Sequence, residues 1–309
     1  MTMVQEKRSP KWSFKYKFRS KYDVLRFIPL LSIILFFSNQ LYLHTLPQTG
    51  FNPIQLSNRQ EPFSCALLFF GLPKHFNRIV FPSIERHILN TNPGCDIFVH
   101  TYNLTQVTNT RNQERDVAIH PMEVYQLNAT ETMITSIEEF YRKRDIKYYN
   151  QYHFVKWGPC CVSTENMIKQ WHSIESVWNL MKDYRKRNNQ GLYDKVGLFR
   201  LDVEYQNDIY MRNGDAVIPN FAHHKGLNDR LFYGSFQYAE VWASKRFDYV
   251  KEFVESRYSL LRDSNGPSLH SETFLKALLK RYKVPYKLEN ICFYRVRGHG
   301  EIRKKDCDD

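Results

Sequence analysis

Two carboxylates, Asp202 and Glu204 in the stretch Arg200-Leu201-Asp202-Val203-Glu204, have the type and spacing that most directly suggest chemistry. At i and i+2 of an extended segment they point to the same side. Two hard oxygen donors side by side suit Mg²⁺ or Mn²⁺, which take one or two carboxylates and complete their shell with a substrate's phosphates. Arg200 alternates with them and can supply positive charge to the same phosphates. Arg295 and Arg297 in FYRVRGHG also alternate on one face and can meet a diphosphate. An Asp-x-Asp triplet also arises by chance, as Asp306-Cys307-Asp308 does here, so a solvated strand end is the alternative for Asp202 and Glu204.

Such residues need elements to hold them. CALLFFGLP, from Cys65, reads as a short apolar strand ending at Gly71, followed by an amphipathic helix over Asn77 to Leu89, a turn at Asn92-Pro93-Gly94, and a second buried strand, CDIFVHTYN. Strand, helix and strand in this order, with both strands apolar on two faces, predict a parallel βαβ unit and place the chain in the α/β class. Thr132 to Arg144 reads as a helix with a basic end. Thr164 to Asn188 reads as a longer one, in which Met167, Trp171, Ile174, Val177, Trp178 and Met181 recur every three or four residues and face a core. A third buried strand, KVGLFRLDVEY, then carries Asp202 and Glu204 to its exit, where ligands of open α/β sheets gather. DAVIPNF reads as a strand, HHKGLNDRLFYGS as a polar loop leading into a helix, and TFLKALLKRY as a late helix.

The chain has 309 residues with 42% hydrophobic content, which excludes a disordered, collagen-like or small disulfide-stapled protein. Its formal charge is +12, and half of that excess lies in residues 1–26, where eight basic side chains face Glu6 and Asp23. No charged residue follows between Phe27 and Leu46, a run that at ~1.5 Å per residue spans ~30 Å of hydrocarbon. The basic leader, with no small-x-small cleavage site behind the apolar run, predicts an uncleaved signal anchor in place of a cleaved signal peptide or a mitochondrial presequence. The expected organisation is a cytoplasmic tail (1–26), a type II transmembrane anchor (27–46), a polar stem (47–62), a luminal domain (63–300) and a polar tail (301–309). All six cysteines follow the anchor, an even number able to pair in an oxidising compartment, although Cys65 and Cys95 read equally as buried free thiols. The sequons at Asn103 and Asn128 agree with a secretory lumen. With half of the positive charge ahead of a membrane segment, no nucleic-acid partner is expected.

Over roughly residues 65–300 the sequence resembles type II membrane glycosyltransferases of the nucleotide-sugar-binding A-type fold. The likeness rests on GLPKHFNRIVFPSIERHIL followed by DIFVHTYN, on YDKVGLFRLDVEY, and on GLNDRLFYGSFQYAEVW with LHSETFLKALL. Together these look like glycosyltransferase-like proteins of algae, plants and large viruses, many without an assigned substrate. The resemblance implies one Rossmann-like domain with a mostly parallel central sheet flanked by helices. It also implies that Gly71, Pro73 and Arg78 form the loop that holds the nucleotide, that His100 and Thr101 border it, and that Asp202 and Glu204 hold metal and diphosphate. Glu204 stands where the usual motif has Asp. His270 or His299 is implied as a third metal ligand, because members of the fold often bring a late histidine to the metal.

Residue by residue, Asn228, Asp229 and Arg230, with Tyr233 and Gly234, can hydrogen-bond sugar hydroxyls under an aromatic cover, or else form an Asx turn and helix cap. Glu272 or Asp229 is the expected general base if the reaction inverts configuration, while Ser271 and Glu272 read equally as a helix cap. Gly71 and Pro73 could equally be an ordinary turn, and His100 a satisfied strand-end histidine. The expected function is a glycosyltransferase of the Golgi or endoplasmic reticulum lumen, using Mn²⁺ or Mg²⁺, that moves sugar from a nucleotide-sugar donor to a glycan or glycoprotein acceptor. A catalytically inactive glycan-binding or scaffold relative is the alternative, prompted by Glu204.

Overall fold

The computed structural model describes residues 63–158, 160–256, 262–263 and 266–308. The expected cytoplasmic tail, anchor and stem lie outside the described residues, among which no helix is long and apolar enough to cross a membrane.

In chain order the first strands are β1 (Cys65–Phe70), β2 (Asp96–Tyr102), β3 (Gln106–Asn109), β4 (Glu114–Ala118), β5 (Glu131–Thr135) and β6 (Lys195–Arg200). They are followed by β7 (Val203–Tyr205), β8 (Ala216–Pro219), β9 (Phe232–Ser235), β10 (Arg262–Asp263), β11 (Gly266–Pro267), β12 (Lys287–Glu289) and β13 (Phe293–Arg295). Seven of them make the main sheet, in the order β12-β8-β9-β6-β1-β2-β5, while β3–β4, β7–β13 and β10–β11 form small two-stranded pairs. All strands of the main sheet run one way except β9, which is antiparallel to both neighbours. This is the α/β architecture expected from the sequence, a mostly parallel sheet flanked by helices and compatible with a Rossmann-like fold.

The central strand β1 is apolar at every position because it is covered on both faces. Ala66, Leu68 and Phe70 join a core built on the helix Val162–Arg187 and the later helices Phe236–Ser244, Arg246–Glu255 and Ser271–Arg281. Trp171 of the long helix stacks on Phe274 of the last, with ring centroids 4.4 Å apart. Cys65, Leu67 and Phe69 point the other way, toward Phe76, Val80, Ile84 and Ile88 of the helical segment 76–89. Complete burial of each large apolar side chain contributes ~1.5–3 kcal/mol, so this two-sided layer dominates the stability of the region below the site.

Several expectations change. The helix expected over Thr132 to Arg144 begins only at Ile137, because Glu131 to Thr135 pair with β2 as its outer neighbour. Ser136 then caps the shorter helix by accepting the Glu139 amide. HHKGLNDRLFYGS is not loop throughout: Phe232–Ser235 forms β9, the reversed strand. The third strand does not continue to Tyr205 but stops at Arg200, and the chain bends at Leu201 and Asp202 before β7. Cys65 and Cys95 are not free thiols. Parallel register puts Ala66 beside Asp96, and the preceding cysteines are joined, as are Cys292 with Cys307 and the adjacent Cys160 with Cys161. The segment expected to be a polar tail is packed, with Ile302 bridging Val296 and Asp306 only 7% exposed. Asn103 and Asn128 are exposed, as glycan acceptors require.

Candidate functional site

A cavity of about 550 Å³ opens at the carboxyl ends of β1 and β6. The chain winds from β1 outward to β2 and β5 and then returns to β6 on the other side of β1. Loops leaving β1 and β6 therefore diverge, and the crevice between them is where ligands of open α/β sheets bind. Gly71 ends β1 at φ 105°, a left-handed conformation that costs glycine little, and its amide donates to the Ser173 hydroxyl at 3.0 Å.

The lining is strongly cationic: Lys74, Arg111, Lys169, Arg200, Arg230, Arg295, Arg297 and Arg303 face Asp202, Asp229 and Glu272, eight cations against three anions. Glu114 of β4 stands behind this wall. It accepts from Lys74 Nζ at 2.8 Å and from the Gly298 amide at 2.6 Å, so one buried carboxylate ties the loop after β1 to the hairpin and to the segment after β13. Burial opposes ionisation of Glu114, but Lys74, the Gly298 amide and Arg297 outweigh it and hold the carboxyl below its usual range. Arg295 donates to both oxygens of Asp306. Arg297 makes no ion pair with any described carboxylate, and its buried Nε lacks a hydrogen-bond partner. Desolvation, reinforced by Arg295 and Arg303, pushes Arg297 down to about 10.

Opposite lies an acid pair. Asp229 accepts from the Ser271 hydroxyl and, at 3.3 Å, from Gln170 Nε2. Burial works against its charge, yet Arg230, the Ser271 hydroxyl, Arg246 and Arg200 together keep it ionised below the usual carboxylate range. Glu272 stands 3.4 Å from Arg230 and 3.5 Å from His270 Nδ1. Its own burial and the Asp229 charge raise it to about 7. The two acids come from different elements, a loop before β9 and the first turn of the helix Ser271–Arg281. They are joined where Leu227 donates its amide to the Glu272 carbonyl at 3.0 Å. Gly226 is required there, since a Cβ would stand 2.0 Å from the Glu272 carbonyl carbon.

Of the residues singled out from sequence, the cavity gathers Gly71, Arg200, Asp202, Asp229, Arg230, His270, Glu272, Arg295 and Arg297. Pro73 and Arg78 line a separate cavity of about 300 Å³. His100 and Thr101 do not reach the main one. His100 is fully buried between Ser173 Oγ at 2.7 Å and Thr135 Oγ1 at 2.9 Å, and desolvation followed by His172 lowers it to about 3. Asn228 is a turn residue, bonded to the Phe221 carbonyl and the Arg230 amide.

The four residues expected to bind metal are not brought together. Both oxygens of Asp202 are occupied by Arg200, at 2.6 Å from Nε and 2.7 Å from Nη2. The bend at Asp202 breaks the alternation that would have aligned it with Glu204, and Glu204 lies outside the cavity lining, opposite Tyr294 in the β7–β13 pair. His270 packs against Phe154 and Trp157, while His299 is exposed and meets Glu301 at 3.1 Å. Among the described residues, the one group of three metal-type side chains close enough to share an ion is His153, Cys160 and Cys161. There both His153 nitrogens already bond Thr164 and the Gly158 carbonyl, and the cysteines are joined to one another. The donor set at Asp202 thus does not fit a carboxylate-held divalent ion.

Lys74, Arg111, Trp157, Gln170 and Arg303 also line the cavity, and sequence reasoning missed them. Each belongs to a loop or helix face with no local motif, so only tertiary placement reveals them. The sequence matches no family model, and it matches no curated protein.

Proposed function

We propose that the chain is a glycosyltransferase of the A-type nucleotide-sugar-binding fold, transferring a sugar from a nucleotide-sugar donor to a hydroxyl of a glycan or glycoprotein. One observation carries this reading: a single crevice at the sheet's switch point joins a cation-rich wall to a buried acid pair with one member near neutrality. The first is what a diphosphate leaving group requires, and the second is what activates a hydroxyl. In the transfer, the acceptor oxygen forms its bond to the anomeric carbon as the bond from that carbon to the diphosphate breaks. The proton passes from the acceptor hydroxyl to Glu272, and the nucleoside diphosphate leaves with the electron pair. Asp229, fixed by Ser271 and kept ionised by the arginines around it, keeps Glu272 basic enough for that task. Trp157, packed by His270 and Arg111, adds aromatic surface to the cavity lining. The paired cysteines and exposed sequons support a secretory lumen, reached behind the anchor expected at 27–46.

The test is transfer from a panel of UDP-, GDP- and CMP-sugars to glycan acceptors, by wild type and Glu272→Gln. The reading expects one donor class to be consumed and kcat to fall by ~10²-fold or more in the variant with donor affinity retained. Full turnover by Glu272→Gln would remove Glu272 from the mechanism. Glycan binding without donor consumption would point to the inactive relative.

A further inference from the structure

We propose that the donor diphosphate is held by side-chain cations, with Arg297 at their centre and Lys74, Arg295 and Arg303 around it, and that this binding requires no divalent ion. The inference rests on the donor-binding reading above and concerns how that site neutralises charge. Asp202, in this view, is the counter-ion of Arg200 and holds the bend after β6.

The geometry at Asp202 supports the second half. Each Asp202 oxygen already accepts from Arg200, which is itself held by Gln170 Oε1 at 3.1 Å, so a divalent ion would have to share the carboxylate with a fixed guanidinium. Seating an ion there would place a dication against a guanidinium or require Arg200 to leave. Glu204, His270 and His299 supply no replacement shell around Asp202. Asp202 also anchors backbone, because its carbonyl accepts the Val296 amide at 2.9 Å, next to Arg297.

The geometry of the segment 295–303 supports the first half. It is a closed loop, in which Arg303 donates its amide to the Arg295 carbonyl at 3.0 Å, Arg297 donates to Glu301 at 2.8 Å and Gly300 donates to Arg297 at 2.9 Å. The Cys292–Cys307 disulfide ties the chain on either side of this loop, and Glu114 links Gly298 to Lys74. Arg295 and Arg303 are each in an ion pair, with Asp306 and Glu301, whereas Arg297 is in none with a described carboxylate, feels Asp202 and Glu114 only at longer range, and carries a buried donor without an acceptor. Three guanidiniums and an ammonium line one cavity, outnumber the carboxylates paired with them, and offer the forked donors that a diphosphate's oxygens accept. Because the loop is pre-closed, little reorganisation opposes binding.

The experiment uses the full chain in mild detergent, stripped with EDTA. Thermal stabilisation and calorimetric affinity are measured for inorganic pyrophosphate, UDP, GDP and CMP, with EDTA or with Mn²⁺ or Mg²⁺. The expected result is that pyrophosphate and one nucleoside diphosphate bind equally well in EDTA and in metal. Arg297→Ala should weaken both by ~10-fold or more, with partial recovery in Arg297→Lys, which restores the charge without the fork. Stabilisation that appears only with Mn²⁺ or Mg²⁺ and vanishes in Asp202→Asn would overturn the inference while leaving the donor site standing. No stabilisation by any probe under either condition, in folded protein, would remove the donor-site reading and this inference together.

Discussion

Glu272→Gln removes one titration and little volume, which makes it a direct probe of the acid pair. Burial and Asp229 push Glu272 from 4.5 up to about 7 against the pull of Arg230. A folded-state value above the unfolded one means that the folded chain holds the proton more tightly. The stabilising share is therefore complete below pH 4.5 and is lost as pH rises from there to about 7. At ~1.4 kcal/mol per pH unit, the interval from 4.5 to about 7 amounts to a cost of ~3 kcal/mol once Glu272 is ionised. Glutamine cannot ionise and escapes this cost. The stability advantage of the variant over wild type should therefore grow by ~2–3 kcal/mol between about pH 5 and about pH 8 and then level off. Urea unfolding of both proteins at closely spaced pH values reads this directly, since the Arg230 attraction is already contained in the value of about 7 and the neutral amide adds only a constant offset. A difference that stays flat across the range would show that Glu272 ionises like an exposed carboxylate, and the general-base assignment would lose its basis. The same ionisation predicts that wild-type kcat rises with pH through about 7.

Asp202→Asn should cost ~2–4 kcal/mol in unfolding free energy, because it breaks the fork to a mostly buried Arg200; an unchanged denaturation midpoint would mean the fork does not hold the bend. Arg246 is fully buried, and its guanidinium nitrogens lack hydrogen-bond partners above Trp242. Arg246→Met should therefore leave stability unchanged or raise it by ~1–3 kcal/mol. A large loss of stability would contradict this account. Gly226→Ala forces the loop off the Glu272 backbone and should cost ~2 kcal/mol or more, with a fall in kcat exceeding any change in donor affinity, as single-turnover and binding measurements would reveal. Replacing Cys292 and Cys307 by Ser should cost ~3 kcal/mol and weaken pyrophosphate binding. Replacing Cys65 and Cys95 should lower the melting temperature and leave pyrophosphate affinity alone.

The apolar skeleton was legible because period and burial agree in it. β1, β2 and the helix Val162–Arg187 fall within a residue or two of the expected elements, since each is covered by core on the faces the pattern marks. β9 escaped notice because its four residues follow a polar run and their pairing partners, β6 and β8, are distant in sequence or separated by that run. Asp202 and Glu204 illustrate a different failure. Spacing alone aligns them, but the bend after Arg200 depends on contacts with Phe70 and Val296 that no local pattern encodes. Asp229 and Glu272 were found as separate stretches, and the Leu227–Glu272 backbone bond with the Ser271–Asp229 hydrogen bond makes them neighbours. The segment 301–308 looked like a frayed end because it is polar; it is held by Asp306 and Cys307, whose partners lie in β13 and just before it.

Glu114 bonds Lys74 near the start of the folded region and Gly298 near its end, and this bears on how the molecule is made. As the chain emerges, β1, β2, β5 and β6 can already pair and cover apolar surface, yet the anion-binding wall cannot exist until the last loop has been synthesised and brought back across the sheet. A nucleotide present during synthesis therefore has nothing to grip on an early intermediate. If the site binds a nucleotide as proposed, the ligand acts only after that loop has docked, so it would raise the yield of mature protein without hastening the first events of folding.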